Sequence, residues 1–285
     1  MPLVTTASMI DAAPAGVCAF NVITLEHAEA IVLAAERTGI PVILQVSENA
    51  VRFRLGRLRP IAVAAGALAA DASVPVALHL DHVTDDGLLR EAADAGFGSV
   101  MYDASRAPYE LNVARTRAAA EWAHGRGLWL EAELGEVGGK EGAHAPGVRT
   151  DPGEAAAFVA ATGVDALAVA VGSSHAMTSR EARLDHGLIA ALREAVAVPL
   201  VLHGSSGVPD DELRRAVAAG MKKINIGTAL NVAFTAAVDG SRHPGADPRP
   251  RLAAARDAMA DAAAHLLTTV SGAARPAPAV ITRRG

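Results

Sequence analysis

One beat recurs along the chain: a short β-branched run, a polar or glycine-rich turn, then an alanine-rich stretch with apolar residues at helical spacing. The runs at 16–22 (GVCAFNV), 41–47 (PVILQVS), 75–81 (PVALHLD) and 98–103 (GSVMYD) predict strands. So do 128–134 (LWLEAEL), 165–171 (DALAVAV), 199–203 (PLVLH) and 222–227 (KKINIG). Most are apolar nearly throughout, as parallel strands covered on both faces tend to be. Amphipathic helices are expected between them, including 25–39, 85–96, 151–163 and 209–220, each closing on a glycine that suits a helix C-terminus. A last helix is expected at 251–270, after a stretch rich in Pro, Gly and Arg. The final residues, from about 272 to 285, read as a disordered tail.

Eight strand–helix units with no intervening linker predict an α/β protein, a single (β/α)8 TIM barrel domain over residues 1–285. An open doubly wound sheet is the competing topology. In a barrel, chemistry belongs at the C-terminal ends of the strands, where the following loops form one rim. Those ends carry Asn21, Ser47, Asp81 with His82, Asp103, Glu133, His175, His203 and Asn225. Packing alone would scatter polar residues over both ends of the sheet. Their alignment at one rim predicts an active site.

Composition narrows the class. Hydrophobic residues make up 51% of the 285 and aromatics 3%, so the core is built from Ala, Val, Leu and Ile. A net charge of -5 offers no nucleic-acid surface. The apolar runs fall well short of the roughly 20 residues that span a membrane. Cys18 is the sole cysteine, which excludes an internal disulfide and favours a reducing compartment. With no basic, apolar leader at the N-terminus, the expected location is the cytoplasm.

Three histidines at strand ends, His82, His175 and His203, make a candidate metal site with a coordination position left for substrate. Zinc suits three imidazole nitrogens, although cobalt and iron accept similar ligands. Asp103 and Glu133 are candidates to orient a ligating histidine or to hold a second cation, and Glu131 competes for that role. His79 shares a face with Asp81 but reads as an ordinary hydrogen-bonded histidine. Two turns, Gly204-Ser205-Ser206-Gly207 and Asn225-Ile226-Gly227-Thr228, each precede a helix after strands seven and eight. Backbone N–H groups at that place form an anion site. The glycine-dense loop 133–153 carries Glu141, a candidate base. Only Lys140, Lys222 and Lys223 are present, none at the C-terminal end of a strand, which argues against a Schiff base.

Together the segments AFNV (19–22), PVILQVSENA (41–50), HLDH (79–82), SVMYDAS (99–105), EAELGEVGGKE (131–141), AVAVGSSH (168–175), LVLHGSSG (200–207) and KINIGT (223–228) resemble the class II, zinc-dependent ketose-bisphosphate aldolases. The resemblance covers roughly residues 3–265. It implies reversible cleavage of a fructose- or tagatose-1,6-bisphosphate type of substrate to dihydroxyacetone phosphate and an aldehyde, through an enediolate stabilised by metal. It implies zinc on His82, His175 and His203, with Asp81 moving the proton of the aldehyde half and Glu141 that of the ketone half. Gly204, Ser205, Ser206, Asn225, Ile226, Gly227 and Thr228 would hold the phosphate. Asn21 and Ser47 would contact substrate, and Asp103 with Glu133 would mark a second cation position. A homodimer or homotetramer is implied as well.

Two positions depart from the family pattern. Ala176 stands where a glycine carbonyl helps the phosphate and a monovalent cation, and Gly142 replaces an acidic residue. Arg52, Arg54, Arg106 and Arg180 are candidates for the distal anion. Two other readings use the same residues: a metal-dependent barrel hydrolase with Asp81 beside activated water, and a sugar-phosphate binder without turnover.

Overall fold

The structure is a computed structural model that describes residues 3–134, 148–175, 177–241 and 245–273. Eight parallel strands close into a barrel in chain order. They are β1 (Val17–Asn21), β2 (Val42–Ser47), β3 (Val76–Val83), β4 (Ser99–Tyr102), β5 (Trp129–Glu133), β6 (Ala166–Ala168), β7 (Leu200–Leu202) and β8 (Met221–Ile226). β8 pairs back onto β1 with Ala19 beside Asn225, so the open sheet is excluded. Strand alternation separates two cores. Phe20, Leu44, Leu80, Val100, Leu130, Leu167 and Ile224 point outward into the layer beneath the helices. Ala19, Ile43 and Ala77 fill the lumen from one side, and Met101, Ala166, Ala168 and Val201 from the other.

The expected helices form as α2 (Leu25–Thr38), α5 (Asp86–Glu91), α7 (Pro152–Thr162), α9 (Asp210–Ala219) and α11 (Arg249–Ser271). Their ends follow local chemistry. Asp85 caps α5 by accepting from the Leu88 N–H at 2.7 Å, and Gly39 closes α2 at φ 68°. The loops also hold α3 (Glu48–Phe53), α4 (Leu58–Asp71), α6 (Tyr109–His124), α8 (His186–Ala195) and α10 (Thr228–Gly240). A short α1 (Thr6–Ala12) packs its Met9 and Ile10 beneath the strand starts, against Val17, Ile43 and Ala77. That closes the N-terminal end of the barrel and leaves the C-terminal rim open for chemistry.

One expectation needs adjustment. β6 ends at Ala168, seven residues before His175, so that histidine stands on the following turn instead of on the strand itself. Lys223 is the third residue of β8, and its side chain lies wholly buried in the lumen. Lys222 turns the other way and donates to the Ala13 carbonyl at 2.8 Å. The pleat separates the two lysines although they are neighbours in sequence. Among the described residues no helix is long and apolar enough to cross a membrane.

Candidate active site

A cavity of about 220 Å³ opens at the C-terminal rim, and Asn21, Ser47, Asp81, His82, His175 and His203 all line it. Gly204, Ser206, Asn225, Gly227 and Thr228 complete the side nearest β7 and β8. Residues separated by more than two hundred positions thus reach one space. An apolar cavity of about 250 Å³ at the opposite end, between α1 and the strand starts, has no titratable group in its lining. The three strand-end histidines and Asp81 thus gather at the rim.

His82, His175 and His203 converge there, each offering a ring nitrogen within 4.8 Å of the others. Ring centroids are 4.7 Å apart for His82 and His203, 5.3 Å for His82 and His175, and 5.7 Å for His175 and His203. All three pairs meet edge to face. His82 Nε2 and His203 Nδ1 approach to 3.0 Å. On the far side of the His82 ring, Nδ1 faces Asp103 Oδ2 at 2.9 Å. A carboxylate holding one ring nitrogen leaves the other for metal. His82 takes φ 50°, a left-handed conformation that costs a side-chain-bearing residue energy and recurs at functional sites. Three convergent nitrogens with a carboxylate behind one of them fit a divalent ion of the zinc type.

A second group, His82, Asp103 and Glu133, also brings ligand atoms within 4.8 Å of one another. Glu133 and Glu131, two residues apart on β5, both face inward but divide the work. Glu133 Oε2 lies 3.9 Å from His82 Nδ1, whereas Glu131 Oε1 lies 2.9 Å from His203 Nε2.

Asp81 is buried beside the histidines. Its Oδ2 accepts from Asn21 Nδ2 at 3.3 Å and Gln45 Nε2 at 3.4 Å. Its Oδ1 has no hydrogen-bond partner among the described residues. Burial works to raise the Asp81 pKa, but electrostatic contacts with His82, His203 and Lys223 outweigh it and hold the group below its ordinary value. The result is an ionised carboxylate with one oxygen anchored and the other ready to take a proton. Gln45 is a residue the motif search passed over. Inward alternation through Ile43, Gln45 and Ser47 in β2 was the signal available for it.

The two turns meet as one cradle. Ser206 Oγ accepts from the Ala229 N–H at 3.0 Å, tying the short turn after β7 to the first turn of α10. Gly204 sits at φ 68°, and a Cβ there would lie 2.5 Å from the Ser174 carbonyl oxygen, so only glycine lets the backbone pass. The N-terminus of α10 borders the cavity through Gly227 and Thr228, a place where helix dipole and leading N–H groups favour an anion. Ser205 and Ile226 do not line the cavity. Ser205 Oγ turns to the Leu202 carbonyl at 3.1 Å, and Ile226 packs in the outer core, which leaves each only its backbone to offer. Glu141, Ala176 and Gly142 lie outside the described residues.

Of the four arginines, Arg52 and Arg106 line a neighbouring cavity of about 610 Å³ that shares Ser47, His82 and His175 with the first. Arg54 is turned to the Ile23 carbonyl at 2.8 Å, and Arg180 to the Val208 carbonyl at 2.6 Å.

A family model for fructose-bisphosphate aldolase class-II matches residues 4–275. The chain belongs to the class II fructose-bisphosphate aldolase family. A fructose-bisphosphate aldolase of Geobacillus stearothermophilus is 41% identical over 268 residues, covering 91% of this chain and 93% of the relative. One from Staphylococcus aureus is 40% identical, covering 91% and 94%. The crystal structure of the YdjI aldolase from Escherichia coli K12 superposes with a TM-score of 0.84 at 31% identity, over 94% of this chain and 97% of that one. The protein is accordingly an aldolase, a carbon–carbon lyase, and class II aldolases are metal-dependent enzymes that act on phosphorylated sugars. That assignment sets aside the hydrolase reading of the same residues.

Proposed function

We propose that this aldolase reversibly cleaves a ketose 1,6-bisphosphate of the fructose or tagatose type to dihydroxyacetone phosphate and an aldehyde. Zinc held by His82, His175 and His203 is the metal in this reading. The observation that carries it is the meeting of three imidazole nitrogens within 4.8 Å beside the buried, half-anchored carboxylate of Asp81. When bound, the ion supplies a Lewis acid that stabilises negative charge developing on the ketone half.

Every other part of the reaction falls to the chain. The cradle of Gly204, Ser205, Ser206, Asn225, Ile226, Gly227 and Thr228 holds the phosphate, largely through backbone N–H groups, and so fixes the sugar relative to Asp81. Asn21 and Ser47 contact the sugar from β1 and β2. In cleavage, Asp81 Oδ1 takes the proton of the hydroxyl on the carbon that becomes the aldehyde. That carbon gains its carbonyl, the carbon–carbon bond breaks, and its electron pair passes to the ketone half. A proton delivered to carbon there, the role assigned to Glu141, completes the turnover. Asn21 and Gln45 keep Asp81 aimed throughout. Asp103 and Glu133 provide the second cation position, with a monovalent ion near Ala176.

Chelation is expected to abolish release of dihydroxyacetone phosphate from fructose and tagatose 1,6-bisphosphates, and added zinc to restore it. Cleavage that survives complete metal removal would sink the reading. The two substrates, compared in one coupled assay, also decide the stereochemistry at C4. A homodimer or homotetramer in the cytoplasm completes the proposal. It rests on the family resemblance and on the buried free thiol of Cys18, and sedimentation measures the oligomer directly.

A further inference from the structure

Beneath the metal-site histidines the lumen holds a line of polar groups that packing alone does not require. Lys223, Glu131, His79 and Ser99 are all fully buried, as is Thr6 on α1. Lys223 Nζ lies 2.8 Å from Glu131 Oε2 and 3.4 Å from His79 Nε2. His79 Nδ1 lies 2.8 Å from Ser99 Oγ, which lies 2.5 Å from Thr6 Oγ1. At the upper end, Glu131 Oε1 lies 2.9 Å from His203 Nε2. Removing a carboxylate and an ammonium from water is costly, and such a pair gives no net stability over an apolar one of the same size.

Asn225 Nδ2 also lies 3.0 Å from His203 Nε2, and Asn225 Oδ1 has no other partner among the described residues, so with that amide turned over the donors and acceptors along this line agree. An ammonium can only donate, so Lys223 gives hydrogens to Glu131 Oε2 and to His79 Nε2. With Nε2 accepting, His79 carries its proton on Nδ1 and donates it to Ser99 Oγ. Burial above all, and then the neighbouring Lys223 charge, hold the His79 pKa well below its ordinary value, in keeping with a neutral ring. Glu131 takes the Lys223 ammonium on Oε2 and turns Oε1 to His203 as an acceptor. The proton between Glu131 and His203 therefore sits on His203 Nε2, which leaves Nδ1 bare. That nitrogen is the one 3.0 Å from His82 Nε2, at the point where the imidazoles converge.

We propose that Glu131 and Lys223 act together as positioning residues: Glu131 locks His203 in the tautomer and ring orientation that present Nδ1 to the metal, and Lys223 holds the Glu131 carboxylate in place. His79, tied through Ser99 to Thr6, braces Lys223 from below, so α1 at the closed end of the barrel is mechanically continuous with the metal site. The inference rests on the three-histidine metal reading and specifies how one ligand is prepared. Partners behind metal-binding histidines commonly contribute about 10- to 100-fold in metal affinity.

The unmodified full-length protein decides the tautomer. With ¹⁵N-labelled histidine and bound ¹¹³Cd, long-range proton–nitrogen spectra are expected to show metal coupling at His203 Nδ1 and a proton on Nε2. Metal coupling at Nε2 would overturn the positioning role and leave the metal site standing. Absence of coupling at either nitrogen would remove both. Variants then separate positioning from mere space-filling. Glu131→Gln, and the neutral pair Glu131→Gln with Lys223→Met that keeps the volume of both side chains, are compared by zinc competition against a chromophoric chelator. Each is expected to bind zinc about 10- to 100-fold more weakly. A folded double variant, by circular dichroism, with zinc affinity within about twofold of the parent would reduce the pair to packing, against the proposal. Should neither variant fold, the spectrum of the unmodified protein still gives the answer.

Discussion

Asp81 shows how a single side chain is prepared for work. Neighbours on two other strands, Asn21 and Gln45, hold one carboxylate oxygen, and electrostatic contacts with His82, His203 and Lys223 keep the group ionised despite its burial. It touches no histidine nitrogen among the hydrogen bonds it makes, so its loss should spare the metal. Asp81→Asn is expected to retain a full complement of zinc while cleavage falls about a hundred- to ten-thousand-fold, the usual worth of a positioned acid–base group. Metal analysis of the purified variant alongside its turnover separates the two effects. Asp81, His82, His175 and His203 were legible in the chain because each lies at or just beyond a predicted strand end. Gln45 was less so, since an amide inside VILQVS resembles a tolerated polar substitution until the pleat is known to turn it inward. Glu141, at the centre of the proposed proton transfer on the ketone half, was named only from its place in a glycine-dense loop and from the family pattern.

Strands and helices were placed within a few residues because their signals are local. Pro or Gly opens many of the strands, and Asp or Gly bounds many of the helices. Asp151 illustrates this: its Oδ1 accepts from the Gly153 and Glu154 N–H groups at 2.8 and 2.9 Å, satisfying donors that α7 cannot pair within itself. Asp151→Ala is expected to cost about 1 kcal/mol of stability, read as a shift in the urea midpoint at unchanged slope, with catalysis intact. β6 was overextended for an equally local reason. Its apolar run continues through Val169 and Val171, but the chain leaves regular pairing after Ala168, and His175 reaches the site from a turn. Lys223 lies in the first half of β8, away from its C-terminal end as counting along the strand gives, and its long side chain reaches Glu131 within the lumen.

The molecule as a whole titrates through groups that folding withholds from water. His79 is held neutral by burial and by the Lys223 charge, and His27 is likewise lowered by burial, which outweighs the raising contacts from Asn231 and Glu26. Below the ordinary value of 6.5 the unfolded chain takes up protons that these rings decline in the folded state. Stability of the metal-free protein should therefore fall as pH drops from 7.5 to 5.5, by up to about 1.4 kcal/mol per pH unit for each ring. Urea midpoints across that range test it, and His79→Gln should make the slope shallower. A flat profile would mean that His79 charges freely in the fold.

Hydrophobic period, turn residues and the polar ends of strands are carried by neighbours in sequence, so eight strand–helix units and one chemically active rim could be read before any coordinates. Barrel closure acts on residues tens to hundreds of positions apart. It brought His203 against His82, set Glu131 behind one ring and Asp103 behind the other, and threaded Lys223 up the lumen to Glu131. No local pattern encodes those meetings, because they depend on the stagger between strands and on the directions in which side chains leave a closed, twisted sheet.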